Sequence, residues 1–416
     1  MDTIKASSEA AAPWSGSGES VGGARAAPAA MQPHQLVAYY PHHAMAGSTG
    51  AYTCLSILQH LRGPGLEVEL HVLSSDPDAR HAWTRDAIPP WLKRAAYLAD
   101  PSARVGRARL GRRFRRALHG ATVAYLWPGT PEPIYEHVKA AGVPLVMERI
   151  NCHRATSVPI LDDAYRRAGL APAHRITRAS LEEERRKLAM ADWVFAANPL
   201  AARSVIADGV PASKLLLGTY GWSISRVPAA PRTRSPDAPP VVLFVGTVCI
   251  RKGAHLLLEA WADAGIRGTL ELCGEIFAEI AETSGAHLGR SDVRARGHVG
   301  AIAQAYADAD IFAFPTLEEG GPLVVIEAMA RGLAIVTSPM GAGEVLRDGI
   351  DALVLDPYDH PAWVAALRRL AADPGLRRQL GTSARERAQA YTWERVGARR
   401  RSLLLDALDH AGGAHR

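Results

Sequence analysis

From Phe314 to Glu327 the chain reads Phe-Pro-Thr-Leu-Glu-Glu-Gly-Gly-Pro-Leu-Val-Val-Ile-Glu. An apolar strand ends at Phe314, a short loop follows, and a helix starts near Pro322, where the missing N–H of proline costs nothing. In open α/β sheets ligands bind beyond the carboxyl ends of the strands, which is where Glu319 falls. Gly320 and Gly321 let a ligand come close to the backbone, and the free N–H groups of the helix start attract an anion. Glu319 stands before the helix and Glu327 about a turn inside it. The pair suits two polar parts of an elongated ligand whose anionic middle rests on the helix start. On residue types alone, a solvated acidic loop is the competing reading.

These side chains need a scaffold, and the chain supplies one twice. A buried strand is predicted at 35–40, followed by the Gly47–Gly50 turn, a helical pattern through Leu55, Leu58 and Leu61, and a strand at 68–73. Strand, turn, helix and strand open a parallel α/β sheet. Further strands are predicted at 122–127, 144–147, 192–196 and 214–218, with a helix over 174–190. Five prolines between Pro228 and Pro240 then mark a linker. The alternation restarts with strands at 241–245 and 269–273 flanking a helix at 254–264, and later strands at 311–314, 334–337 and 352–355. The expected organisation is a leader over 1–34, an N-terminal Rossmann-like lobe over 35–227, the linker, a second Rossmann-like lobe over 241–392, and a terminal helix over 393–416 that returns towards the first lobe. The fold class is α/β, with two parallel sheets facing a central cleft.

Composition agrees. Of 416 residues, 48% are hydrophobic and 22% charged, the usual globular mix, which excludes a wholly disordered or disulfide-stapled chain. Cys54, Cys152, Cys249 and Cys273 form no CxxC pair, so reduced thiols in a cytoplasmic protein are expected. No apolar run is long enough to span a membrane, and the Ala/Gly/Ser-rich start lacks the pattern of a signal peptide. The net charge of +6 has a centre. Seven arginines crowd between Arg104 and Arg116, interleaved with Leu110, Phe114 and Leu118 at spacing four. On a helix this is an apolar stripe flanked by guanidinium groups, which suits an anionic membrane surface or, more plainly, a solvated basic face. No aromatic-interleaved basic module accompanies it, so nucleic acid is not an expected partner.

The stretch Glu-Gly-x-x-Leu-x-x-x-Glu-Ala-Met-Ala-x-Gly, Glu319 through Gly332, resembles the signature of the retaining glycosyltransferases of family 4, which have the two-lobed GT-B fold. Phe244-Val245-Gly246 with Arg251-Lys252-Gly253, Gly297-His298-Val299, the segment 307–312, Gly341 to Glu344, and Tyr391-Thr392-Trp393-Glu394 extend the resemblance over 241–393. It implies a hexosyl transfer, with retention, from a nucleotide-diphosphate sugar to a hydroxyl of a glycan, lipid-linked or small-molecule acceptor. Lys252 would neutralise the donor diphosphate, Glu319 would orient the donor sugar, and Glu327 would accept from the ribose. Backbone N–H groups around Gly320, Gly321 and Leu323 would hold phosphate oxygens, and Val299 would meet the base. Gly47 would approach the phosphates or the acceptor. A histidine touching the donor sugar is also implied; His153 is the first candidate, with His42 and His43 competing.

One position departs from the family pattern. Thr247 stands where a basic residue usually pairs with the lysine, which makes Lys252 more critical and leaves Arg251 as the only nearby substitute. Asp308-Ala309-Asp310 has the spacing of the metal-binding pair of the other large glycosyltransferase fold. It precedes its strand and lies at the sheet end opposite the cleft, so no metal is implied. No Gly-x-Gly-x-x-Gly after a strand and no phosphate-loop motif occurs, so no dinucleotide cofactor is expected. A nucleotide-sugar epimerase of similar fold and a non-catalytic sugar-nucleotide binder are the alternatives.

Overall fold

The computed structural model describes residues 32–45, 49–231, 233–235, 238–300, 302–321 and 323–414. Thirteen strands lie in two parallel sheets among these residues. The first holds β1 (His34–Ala44), β2 (Leu66–Ser75), β3 (Thr84–Asp86), β4 (Val123–Leu126), β5 (Leu145–Arg149), β6 (Trp193–Ala196) and β7 (Leu215–Leu217), in the order β3-β2-β1-β4-β5-β6-β7. The second holds β8 (Val241–Val245), β9 (Thr269–Cys273), β10 (Val293–Gly297), β11 (Ile311–Phe314), β12 (Ala334–Thr337) and β13 (Leu353–Val354), in the order β10-β9-β8-β11-β12-β13. Each order reverses next to its first strand, so each sheet has a switch point where a crevice opens at the carboxyl ends. The two-lobed parallel architecture expected from the sequence is the one found.

The central strands are apolar throughout because helices cover both faces of a parallel sheet. Every residue of β8, β11 and β12 is buried. The edges differ: in β10 the run Arg294, Ala295 and Arg296 is exposed. The arginine-rich segment forms a helix, Arg104–Ala117, laid on the first sheet. Its Leu110 and Phe114 are fully buried, and the Phe114 ring meets Tyr39 of β1 edge-on at 5.0 Å. Burial of two such side chains stabilises this docking by about 1.5–3 kcal/mol each. The apolar stripe that the sequence offered to a membrane is therefore core, and what the helix shows to solvent is arginine with Val105 and Ala108.

The helix Trp393–Ala414 runs back over the first sheet and packs on the helix Thr49–Leu61. Gly221 makes the crossing possible, since a Cβ there would lie 2.8 Å from the backbone of Trp393. Trp222 and Trp393 exchange backbone hydrogen bonds with the other strand of the crossing, Trp222 N donating to Tyr391 O and Trp393 N to Trp222 O. Further along, Arg400 is wholly buried, pairs with Glu148 of β5, and stacks on Phe195 with 4.1 Å to the ring centroid. The same Glu148 carboxylate accepts from Tyr125.

Linker and sheet are tied at the opposite end. Asp308 accepts from the Thr233 N–H and hydroxyl, at 2.7 and 2.8 Å, and Asp310 from the Val241 N–H at 2.9 Å. This acidic pair anchors the linker. All four cysteines are free and buried, and among the described residues no helix is long and apolar enough to cross a membrane.

Candidate functional site

The carboxyl ends of β8, β9, β10 and β11 bring their loops together. Gly274, with φ +155°, leaves no room for a side chain, because a Cβ would lie 1.9 Å from Gly246 O. Its N–H donates to Gly297 O at 2.8 Å. Thr247 and Val299, both half-buried, thus stand on adjoining loops. Gly253, with φ +67°, lets the Arg251–Gly253 turn press on Pro315, whose carbonyl would sit 2.0 Å from a Cβ. Leu317 N–H closes the contact on Arg251 O at 3.0 Å. Lys252 is thereby laid across the loop that follows β11.

In that loop two neighbouring carboxylates point opposite ways, as consecutive side chains of extended backbone do. Glu319 turns to Lys252, and the two make a direct ion pair. The ammonium also lies 5.3 Å from the centre of the Phe314 ring. Burial, and then the neighbouring Arg251, pull the Lys252 pKa well below the ordinary lysine range. An incoming diphosphate would reverse that, supplying charge where solvent is excluded.

Glu318 turns to the first lobe and is 1% exposed. Its carboxylate accepts from Cys152 N–H at 2.8 Å, Asn151 Nδ2 at 3.0 Å and Ser157 Oγ at 3.3 Å. Arg251 Nη1 donates to the Glu318 carbonyl at 2.9 Å and approaches its carboxylate at 3.3 Å. Arg251 is therefore engaged at the lobe junction and approaches Glu319 at 3.8 Å. Gly320 and Gly321 complete the junction. A Cβ on Gly320 would lie 1.8 Å from Ile150 O, and one on Gly321 would meet the Tyr220 ring at 2.6 Å. These two glycines bring the lobes together.

Leu323 begins the helix Leu323–Arg331, which carries Glu327. Glu327 is 1% exposed and accepts from Arg226 Nε at 2.7 Å and Tyr306 OH at 3.0 Å. Burial raises its pKa, opposed by Arg226. Arg226, just before the linker, also covers the Tyr52 ring at 4.4 Å. A ribose can reach Glu327 only if Arg226 withdraws. Gly47 lies outside the described residues.

His153 is not at the cleft, which corrects its expected contact with a donor sugar. Its side chain is fully buried, caps the helix Arg154–Arg167 by accepting from Ala155 N–H at 3.2 Å, and faces Glu184 and Asp208 at 3.3 Å each. The reason is its position four residues past the end of β5, where the chain has already turned into the helix. His42 and His43, at the carboxyl end of β1, are the histidines that stay accessible. Glu318, Arg226 and Tyr306 were not singled out from the sequence. For Glu318 its adjacency to Glu319 was a usable signal; for the other two there was none.

A cleft of about 1220 Å³ opens beside this junction, with Arg149, Asn151 and Arg154 on the wall of the first lobe and Arg251, Glu279 and Glu318 on that of the second. Two facing Rossmann-like lobes, an interlobe cleft, and a lysine–glutamate pair at a helix start define the GT-B class. The likeness to solved structures bears this out over nearly the whole chain. Sucrose-phosphate synthase from Thermosynechococcus elongatus superimposes with a TM-score of 0.66 at 19% identity, covering 92% of this chain and 100% of that one. Anabaena HepE in complex with UDP and glucose gives 0.65 at 16% identity, covering 90% and 100%.

Residues 239–373 match the family described as Glycosyl transferases group 1. Among curated relatives, a D-inositol 3-phosphate glycosyltransferase of Actinosynnema mirum is 30% identical over 225 residues, 49% of this chain and 51% of the relative. One of Corynebacterium diphtheriae is 26% identical over 284 residues, 60% and 66%. The chain spans about half the length of the first of these relatives.

Proposed function

We propose that the protein is a retaining glycosyltransferase that moves a sugar from a nucleotide-diphosphate donor to a hydroxyl of a small phosphorylated acceptor. The observation that carries this reading is the Lys252–Glu319 pair before the helix Leu323–Arg331, at the junction of the two lobes. The pair is held in place before any ligand arrives. A diphosphate takes Lys252 from Glu319 and so frees the carboxylate to accept from sugar hydroxyls. The helix-start N–H groups add partial positive charge as the leaving diphosphate gains negative charge. The acceptor oxygen attacks the anomeric carbon, the bond to the diphosphate oxygen breaks, and the acceptor proton passes to that leaving oxygen. Glu318, with its oxygens engaged by Cys152, Asn151, Ser157 and Arg251, serves as a positioning residue and not as a nucleophile.

Two similarities support donor and acceptor: the structure of Anabaena HepE in complex with UDP and glucose, and relatives named as D-inositol 3-phosphate glycosyltransferases. The test is a panel of nucleotide sugars incubated with the full chain, with and without inositol 3-phosphate. Nucleotide release that requires the acceptor, with the donor's anomeric configuration kept in the product by NMR, is expected. An inverted product would refute retention, and donor conversion independent of acceptor would point to an epimerase.

A further inference from the structure

A second, smaller cavity of about 450 Å³ lies under the arginine-rich helix, bounded by Tyr39 and His42 of β1, Gly129 beyond β4, and Arg107, Gly111 and Arg115 of the helix. The last three are spaced by four and share one face, so two guanidinium groups stand a double turn apart with no side chain between them. A Cβ on Gly111 would meet Ile134 at 3.5 Å and Arg115 at 3.8 Å, ordinary contact distances that leave a larger side chain to project into the cavity. Neither Arg107 nor Arg115 has a carboxylate partner among the described residues, whereas neighbouring Arg113 is spent on the Asp86 carbonyl at 2.6 Å. Two guanidinium groups without carboxylate partners at one cavity, Arg107 exposed and Arg115 half-buried, are free to make charge-assisted hydrogen bonds to an anion. Tyr39 adds a donor: burial raises its pKa to about 12 against the pull of Arg115 and Arg107, so the phenol keeps its proton. Gly129, with φ +85°, allows the His42 ring to close the cavity, since a Cβ would sit 2.8 Å from Nε2. Gly129 also borders the large interlobe cleft, so the two spaces adjoin at the carboxyl ends of β1 and β4.

We infer that this cavity is the anion subsite of the acceptor, and that Arg107 and Arg115 clasp a phosphate ester while the rest of the acceptor extends past Gly129 into the cleft. The inference rests on the proposed transfer reaction and names the chemistry of its second substrate. Two sources carry a phosphate ester, a soluble sugar or cyclitol phosphate and a lipid headgroup. The helix buries its apolar stripe in the protein, leaving none to enter a bilayer, which favours the soluble one.

The experiment titrates the full chain by calorimetry with inositol 3-phosphate, with inositol, and with UDP, and pellets it with vesicles of phosphatidylglycerol and phosphatidylcholine in equal parts. Three proteins are compared: wild type, Arg107→Gln with Arg115→Gln, and Gly111→Leu, which fills the cavity without touching its charge. The double variant is expected to weaken inositol 3-phosphate binding by about tenfold or more. Gly111→Leu is expected to do the same, with UDP binding unchanged in both. Wild-type affinity for inositol 3-phosphate in both variants would overturn the subsite. So would loss of vesicle pelleting with soluble binding intact, which would assign the arginines to a lipid surface. UDP binding that is absent from the wild type, with inositol 3-phosphate still bound through the arginines, would sink the transfer reaction and leave the subsite standing.

Discussion

Glu318 and Glu319 are neighbours with different work. Glu319 holds Lys252, and Glu318 holds four donors that otherwise face each other across the lobe junction. Glu318→Ala leaves the Cys152 N–H and the Asn151 amide at the junction without their acceptor, while Arg251 keeps the residue-318 carbonyl. Unsatisfied buried groups cost about 1–3 kcal/mol each, so a loss of about 2–4 kcal/mol is expected in urea unfolding, while Glu318→Gln keeps an acceptor and loses less. An unchanged midpoint for the alanine variant would show that the junction does not depend on this side chain. Lys252 sets a pH dependence. Its pKa is lowered in the free protein, first by burial, and a bound diphosphate would raise it, so that the complex would hold more protons than the separate partners. Nucleotide affinity must then fall as pH rises from the lowered pKa of the free protein towards the pKa in the complex. Titrations across that range, with Lys252→Arg as a control that cannot lose its proton, are expected to show the fall in the wild type only.

At the scale of elements, single contacts decide geometry. Gly320 meets Ile150 O at a distance that no rotamer change can relieve, so Gly320→Ala has to move one lobe. Small-angle scattering is expected to report a larger radius of gyration; identical scattering and stability would contradict so tight an approach. The terminal helix is fixed by Arg400, and Arg400→Ala strands the buried Glu148 charge, at a cost of about 3–5 kcal/mol. Pairing that change with Glu148→Met should return much of the loss.

The strands of the second sheet were legible almost to the residue at β8, β9, β11 and β12 because parallel strands buried on both faces read as unbroken apolar runs. β3 and β10 were not legible, since edge strands are short or polar-faced and look like loops. The helix 154–167 also escaped notice, with Pro159 inside it breaking the pattern. The arginine helix had the right period and an inverted meaning: periodicity locates an apolar face but does not say whether protein or lipid covers it. At the site, the pair Lys252 and Glu319 was legible through motif and spacing. Arg226 against Glu327 was not, because no local pattern joins residues a hundred positions apart.

For the molecule as a whole, the described residues of the two lobes meet along a seam. Glu318–Gly321 press on Ile150–Ser157 and Tyr220, and beside them Asn198 Nδ2 donates to Met340 O at 3.1 Å and Arg203 pairs with Glu344 at 3.0 Å. On one side of the seam lie Lys252 and Glu319; on the other opens the large cleft, with the arginine-lined cavity adjoining it. A donor on one side and an acceptor on the other would meet at this seam, and closure of the lobes there would exclude water from the transfer. The central claim is that Lys252 anchors the donor diphosphate, alone where the family pattern usually has two cations. The direct measurement compares wild type and Lys252→Ala for UDP affinity and for acceptor-dependent nucleotide release from the donor that the wild type accepts. Loss of a charge-assisted contact predicts weaker UDP binding and turnover lower by about tenfold or more. Near-wild-type binding and transfer by Lys252→Ala would contradict it.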